Sequence, residues 1–177
     1  MKIAAEQFAL HGFHDTKISA IVKAANVTQP AFYLYFKSKE AIFQELIDLF
    51  KSKLHPRVEQ SRLPSDSEKT ELPERIGNNI ASVFQVFQEN EQIARIGFFL
   101  SEDAAEIKEQ MAKQIEENLT AEVKNGFFDP DFDLSVVASA IVGVIGHLAL
   151  TKLWTGLKTP DELSKEITKL FLYGLKR

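Results

Sequence analysis

Apolar residues recur along this chain at intervals of three and four with few interruptions, the spacing that lines one side of an α-helix. Ile3, Ala4, Phe8 and Ala9 form the first stripe, and Gly12 closes it, since glycine tolerates the positive φ that ends many helices. A second stripe, Ile18, Ile21, Val22 and Ala25, follows Thr16, whose hydroxyl suits an N-cap. Asn26 marks a tight turn, because asparagine accepts a left-handed conformation. Thr28 then caps a short third helix with Pro30 in its first turn, its inward side formed by Val27, Ala31 or Phe32, and Phe36. Ser38 caps a fourth, which buries Ile42, Phe43, Leu46, Ile47, Leu49 and Phe50. A Pro-, Ser- and charge-rich stretch from His55–Pro56 to Leu72–Pro73 reads as a connection between two units. Beyond it the pattern predicts helices at about 73–89, 91–100, 103–125, 133–156 and 160–175. No run of strand-like alternation survives inspection, so the expected fold is all-α with about nine helices.

Two of the later helices differ in kind. Ile107, Met111, Ile115, Leu119 and Val123 make one narrow ladder, with an acidic and basic outer face. Leu134 to Leu150 is apolar all round and carries small residues at Ala138, Ala140, Gly143, Gly146 and Ala149. One side must face its own domain and another must face something else. The run is a little short for a membrane span, contains Ser135, Ser139 and His147, and follows Asp129, Asp131 and Asp133 closely. A homodimer seam fits better, completed by a last helix bearing Leu163, Ile167, Leu170, Phe171 and Gly174.

Composition bounds the chemistry. The 177 residues contain no Cys, which removes disulfides, thiolate metal sites and a Cys nucleophile. There is no HExxH, no Gly-rich phosphate loop and no Ser–His–Asp grouping, so no catalytic residue, metal site or cofactor is assigned and an enzyme is not expected. His11 and His14 straddle Gly12, which breaks the register a metal pair needs. The pI near 5.6 argues against coating nucleic acid by bulk charge. The charge is unevenly laid out, however: residues 1–55 sum to +2 and residues 56–177 to −6. A local DNA site in the first segment is therefore compatible with the acidic whole.

Residues 16–39 carry the function. A helix, a turn at Ala25–Asn26–Val27 and a second helix from Thr28 have the layout of a helix-turn-helix, whose second helix is the reader. Gln29 can pair with adenine N6 and N7, and the Thr28 methyl and Pro30 ring can touch a thymine methyl. Tyr33, Tyr35, Lys37 and Lys39 supply phosphate-binding groups. Together, Ala4, Phe8, Gly12–Phe13, Thr16, Ile18, Ile21, Ala25–Asn26–Val27–Thr28, Phe32–Tyr33–Leu34–Tyr35–Phe36 and Ser38–Lys39–Glu40 resemble the DNA-binding domain of the tetracycline-repressor (TetR) family. The resemblance implies an N-terminal helix-turn-helix DNA-binding domain over 1–55 and a C-terminal helical ligand-binding and dimerisation domain over 56–177. By matching positions it implies phosphate contacts at Thr16, Tyr33, Tyr35 and Lys39, and base contacts at Thr28, Gln29, Pro30 and Ala31. Asn26 and Pro30 stand where many members have Gly, and the chain begins almost inside its first helix, without the family's common basic leader.

The expected partners are thus palindromic operator DNA, a second copy of the chain through about 133–156 and 160–175, and a small hydrophobic effector, with no membrane and a cytoplasmic location. Candidate effector contacts are Phe84, Phe87, Ile96, Phe99, Met111, Ile115, Val144, His147 and Trp154, with Phe98 beside them and His147 as the buried polar exception. The alternative is a helical carrier or catalyst that kept the fold without specific DNA binding.

Overall fold

The computed structural model describes residues 1–175. Lys176 and Arg177, the last two residues of the expected second domain, lie outside them. The described residues form nine α-helices and no strand: α1 Lys2–Asp15, α2 Ile18–Ala24, α3 Gln29–Tyr35, α4 Lys39–Glu59, α5 Leu72–Glu89, α6 Glu91–Arg95, α7 Ala104–Lys124, α8 Leu134–Leu148 and α9 Pro160–Tyr173. α6 and α8 each run on into a five-residue π-helical segment, Ile96–Leu100 and Ala149–Leu153. The chain divides into two compact units, residues 1–53 with 90–107, and residues 54–89 with 108–175.

In the first unit, α1 breaks at Gly12 (φ 77°, ψ 170°), the one residue there that adopts this backbone without strain. Phe8 and Phe43 meet edge to face with centroids 5.0 Å apart, and Phe13 stands 4.7 Å from Phe43. Ala4, Phe8, Ile21, Phe32, Ile42, Leu46 and Phe50 complete the buried interior. Val27, expected inside, is 47% exposed because the turn carries it outward, and Phe36 is half-buried. Thr16 is not the N-cap of α2: Lys17 holds that position, and the Thr16 side chain turns into the interior.

Residues 90–107 belong to this unit, which differs from a single cut at residue 55. The reason is close packing. α6 and its π segment lie on α1, and the backbone at Gly97 presses so near Phe50 that a Cβ there would stand 2.5 Å from the ring. Phe98 meets Phe50 edge to face at 6.3 Å, and Lys51 pairs with Asp103 at 3.1 Å.

In the second unit, α9 packs along α5. Leu163 and Ile167 are consumed by its interior, correcting their expected place at a dimer seam and leaving Leu170 and Phe171 exposed. α4 does not stop at the predicted connection: it continues through Pro56 to Glu59, because Leu54 and Val58, buried on either side, outweigh the lost backbone bond. The outer face of α7 is not wholly solvated either. Asn118 and Glu122 are buried; Asn118 donates to the Val58 carbonyl at 2.9 Å, and Glu122 accepts the Leu63 N–H at 3.0 Å. Trp154 donates its indole N–H to the Phe87 carbonyl at 3.0 Å, satisfying an acceptor in the last turn of α5.

α8 with its π segment, Leu134–Leu153, has a mean hydropathy of 2.0 and meets the length and composition of a membrane-crossing helix. Ala138, Val142, Ile145 and Ala149 face the interior, whereas Val136, Ala140, Gly143, His147 and Leu150 are exposed on the opposite side. His147, expected to be the buried polar exception, is therefore exposed.

Candidate nucleic-acid interface

The turn between α2 and α3 is closed by local chemistry. Asn26 adopts φ 53°, its N–H reaches the Lys23 carbonyl at 3.2 Å, and the Val27 N–H reaches the Val22 carbonyl at 2.9 Å. This paired closure satisfies the last carbonyls of α2 and turns the chain sharply. Thr28 then accepts the Ala31 N–H at 3.3 Å, and Pro30 fits where α3 has no use for a backbone donor. Asn26 thus does the work of the more frequent Gly, and the tip Thr28–Gln29–Pro30 is exposed at the start of a helix fixed at its base by buried Phe32.

Beside that tip is an open concavity of about 500 Å³, lined by His14, Thr16, Lys17, Ile18, Ser19, Gln29, Tyr33, Lys37, Ser38, Lys39 and Glu40. It gathers two exposed cations, Lys17 and Lys37, with the Tyr33 phenol and the Gln29 amide along one wall. That combination suits a polyanion backbone passing next to base edges. Tyr33 is 50% and Tyr35 80% exposed, but Tyr35 stands outside the concavity; Ala31 is half-buried. Glu40 is the one acidic residue in the lining. Its carboxyl is held below the usual range by its own backbone N–H, then by the Ser38 side chain, with a smaller Coulombic contribution from Lys39. His14, Lys17 and Ser19 are not among the expected DNA contacts, although Lys17 sits beside Thr16 at the start of the motif's first helix.

Two of the expected phosphate contacts have other engagements. The Thr16 hydroxyl donates to the Gly12 carbonyl at 2.6 Å, with the Gln7 carbonyl 3.2 Å away, so this 2%-exposed side chain braces the corner from within. Lys39 is half-buried, and its ammonium donates to the carbonyls of Phe13, His14 and Thr16 at 2.8, 3.3 and 3.1 Å.

The expected effector contacts are divided between the units: Ile96 and Phe99 lie in the first, and Phe84, Phe87, Met111, Ile115, Val144, His147 and Trp154 in the second. Phe84, Phe87 and Met111 are fully buried, and Trp154 stacks over Phe87 at 6.1 Å.

Comparison with known proteins agrees with this geometry. Residues 1–46 match the family described as bacterial regulatory proteins, tetR family. The chain is 42% identical to the uncharacterized HTH-type transcriptional regulator YdgC of Bacillus subtilis (strain 168), over 99% of this chain and 90% of that protein. Its fold is that of the TetR family transcriptional regulator PfmR from Thermus thermophilus, with a TM-score of 0.82, 19% identity and full coverage of both chains. It is also that of the transcriptional regulator FadR from Bacillus subtilis, solved in complex with stearoyl-CoA, with a TM-score of 0.72, 24% identity and coverage of 99% and 97%. An all-helical chain with a rigidly capped helix-turn-helix and near-complete alignment to such a relative is a DNA-binding transcriptional regulator and not an enzyme: it belongs to the TetR family.

Proposed function

We propose that this chain is a ligand-responsive repressor: a cytoplasmic homodimer that reads a palindromic operator and leaves it when a small hydrophobic effector binds. The observation that carries this reading is the exposed Thr28–Gln29–Pro30 tip beside the concavity holding Lys17, Lys37 and Tyr33. Gln29 reads an adenine edge, Thr28 and Pro30 meet thymine methyls, and Tyr33, Tyr35, Lys17 and Lys37 hold the flanking phosphates. A reader of seven residues covers only a few base pairs, so duplication by two-fold symmetry is what gives the operator its length.

The exposed stripe of α8 supports the dimer. Ala140 and Gly143 allow close approach of a second helix, with Val136 and Leu150 exposed on the same helix, and Leu170 and Phe171 of α9 are also left exposed. Ser139 and His147 on the exposed side of α8 suit a protein partner better than hydrocarbon. For the effector, the stearoyl-CoA held by FadR makes a long-chain acyl-CoA the first compound to try. Binding would favour a dimer state whose readers no longer match successive major grooves, about 34 Å apart on one face of DNA.

The test is a binding series on duplexes selected by the protein from random-sequence DNA. Gln29→Ala should cost about 1–3 kcal/mol, concentrated at one base pair in each half-site. Adding Tyr33→Ala should remove the remaining preference, and stearoyl-CoA should release the wild-type complex. Wild-type protein that shows no preference over random DNA would falsify the proposal.

A further inference from the structure

We infer that Lys39 is a positioning residue of the DNA interface and not one of its phosphate ligands. An ammonium has three N–H donors and no acceptor. All three are taken: by Phe13 O at 2.8 Å, Thr16 O at 3.1 Å and His14 O at 3.3 Å. The Phe13 ring covers a further side, its centroid 4.4 Å from the nitrogen. To reach a phosphate, the amine would have to surrender one of these bonds and leave a carbonyl of the corner without its donor.

The three carbonyls say what the amine is for. Phe13 and His14 follow the break at Gly12, and Thr16 leads into α2, so this part of the chain has lost the regular bonding of α1 and has not yet gained that of α2. Lys39, the first residue of α4, gathers it from one side, while the Thr16 hydroxyl draws it back to the Gly12 carbonyl from the other. The segment fixed in this way carries His14, Lys17 and Ser19, which line the concavity with Gln29 and Tyr33. Lys39 therefore acts through the placement of that wall, and the charge that meets DNA comes from Lys17 and Lys37.

Arginine discriminates the two roles. At a phosphate contact it replaces lysine well, since its fork matches the phosphate oxygens; it cannot deliver three diverging bonds to three separate carbonyls from one nitrogen. Lys39→Arg and Lys39→Met should weaken binding to a duplex selected by the wild-type protein by similar factors, about tenfold or more. Lys39→Arg binding within about twofold of wild type would overturn the inference. A second measurement needs no variant. In ¹⁵N-labelled full-length protein, the Lys39 ammonium should show slowed proton exchange without DNA and keep its chemical shift when that duplex is added. A Lys39 signal that becomes protected only with DNA, or that couples to phosphorus, would equally exclude the positioning role.

Discussion

At residue 122 a carboxylate occupies a place that the helical pattern of α7 assigns to solvent. Glu122 is 4% exposed, and burial raises its carboxyl above the usual carboxylate range, opposed by the Leu63 N–H and by the charge of Arg62. Its proton is held more tightly in the folded chain than in the unfolded one. The resulting stabilisation is fully present below the unfolded carboxylate pKa and is lost as pH rises through the higher folded value. Glu122→Gln keeps an oxygen for Leu63 and removes the charge. It should stabilise the protein at pH 7 by on the order of 1 kcal/mol, a rise of about 2–4 °C in Tm, with the gain disappearing in acid; thermal melts across pH check this. Nothing local in the sequence distinguishes Glu122 from the solvated acids around it. Its burial follows from where Leu63 and the end of α4 come to lie, and the same holds for Asn118.

Elements were legible wherever a short stretch of chain settles its own hydrogen bonding. Thr28 and Ser38 cap α3 and α4 as expected from their hydroxyls, and Asn26 takes the left-handed turn conformation. Asn26→Ala should cost about 1 kcal/mol in urea unfolding because a Cβ without a local polar partner disfavours positive φ, whereas Asn26→Gly should be tolerated. Comparable loss in both variants would mean that the Asn side chain, and not its φ, matters. The failures lie where packing overrides local preference. Pro56 signals a helix end, yet α4 passes through it between buried Leu54 and Val58. Thr16 has the chemistry of a cap and instead braces the interior, and Leu163 and Ile167 form a stripe whose partner proved to be α5. An apolar stripe states that it will be covered without naming what covers it.

At the scale of the whole molecule, the uneven charge gives regional meaning to an acidic pI: +2 over residues 1–55 and −6 over the rest. Non-specific attraction to DNA should then be modest, leaving discrimination to a few contacts of the reader helix. Gly143 offers the cleanest separation of folding from pairing. A Cβ there meets nothing within 4 Å in its own chain, so Gly143→Leu should preserve the far-UV CD spectrum and improve helix propensity by about 0.8 kcal/mol. In a two-fold pair built on the exposed face of α8 the same side chain would force the helices apart. Sedimentation at micromolar concentration should find a wild-type dimer and a monomeric variant; an unchanged dimer would move the seam away from Gly143.

The contact of Gly97 with Phe50 bears on how such regulators can be recombined. The readable motif ends well before residue 53, which invites exchange of DNA specificity between relatives by one crossover after α3 or within α4. Here the first unit draws part of its interior from residues 90–107, with Gly97 shaped to the Phe50 ring and Phe98 set against its edge. A graft that brings a new Phe50 surface without its matching Gly97 joins two halves of different moulds. Specificity is transferable in this chain as a pair of segments, and recombination between relatives would have to inherit both.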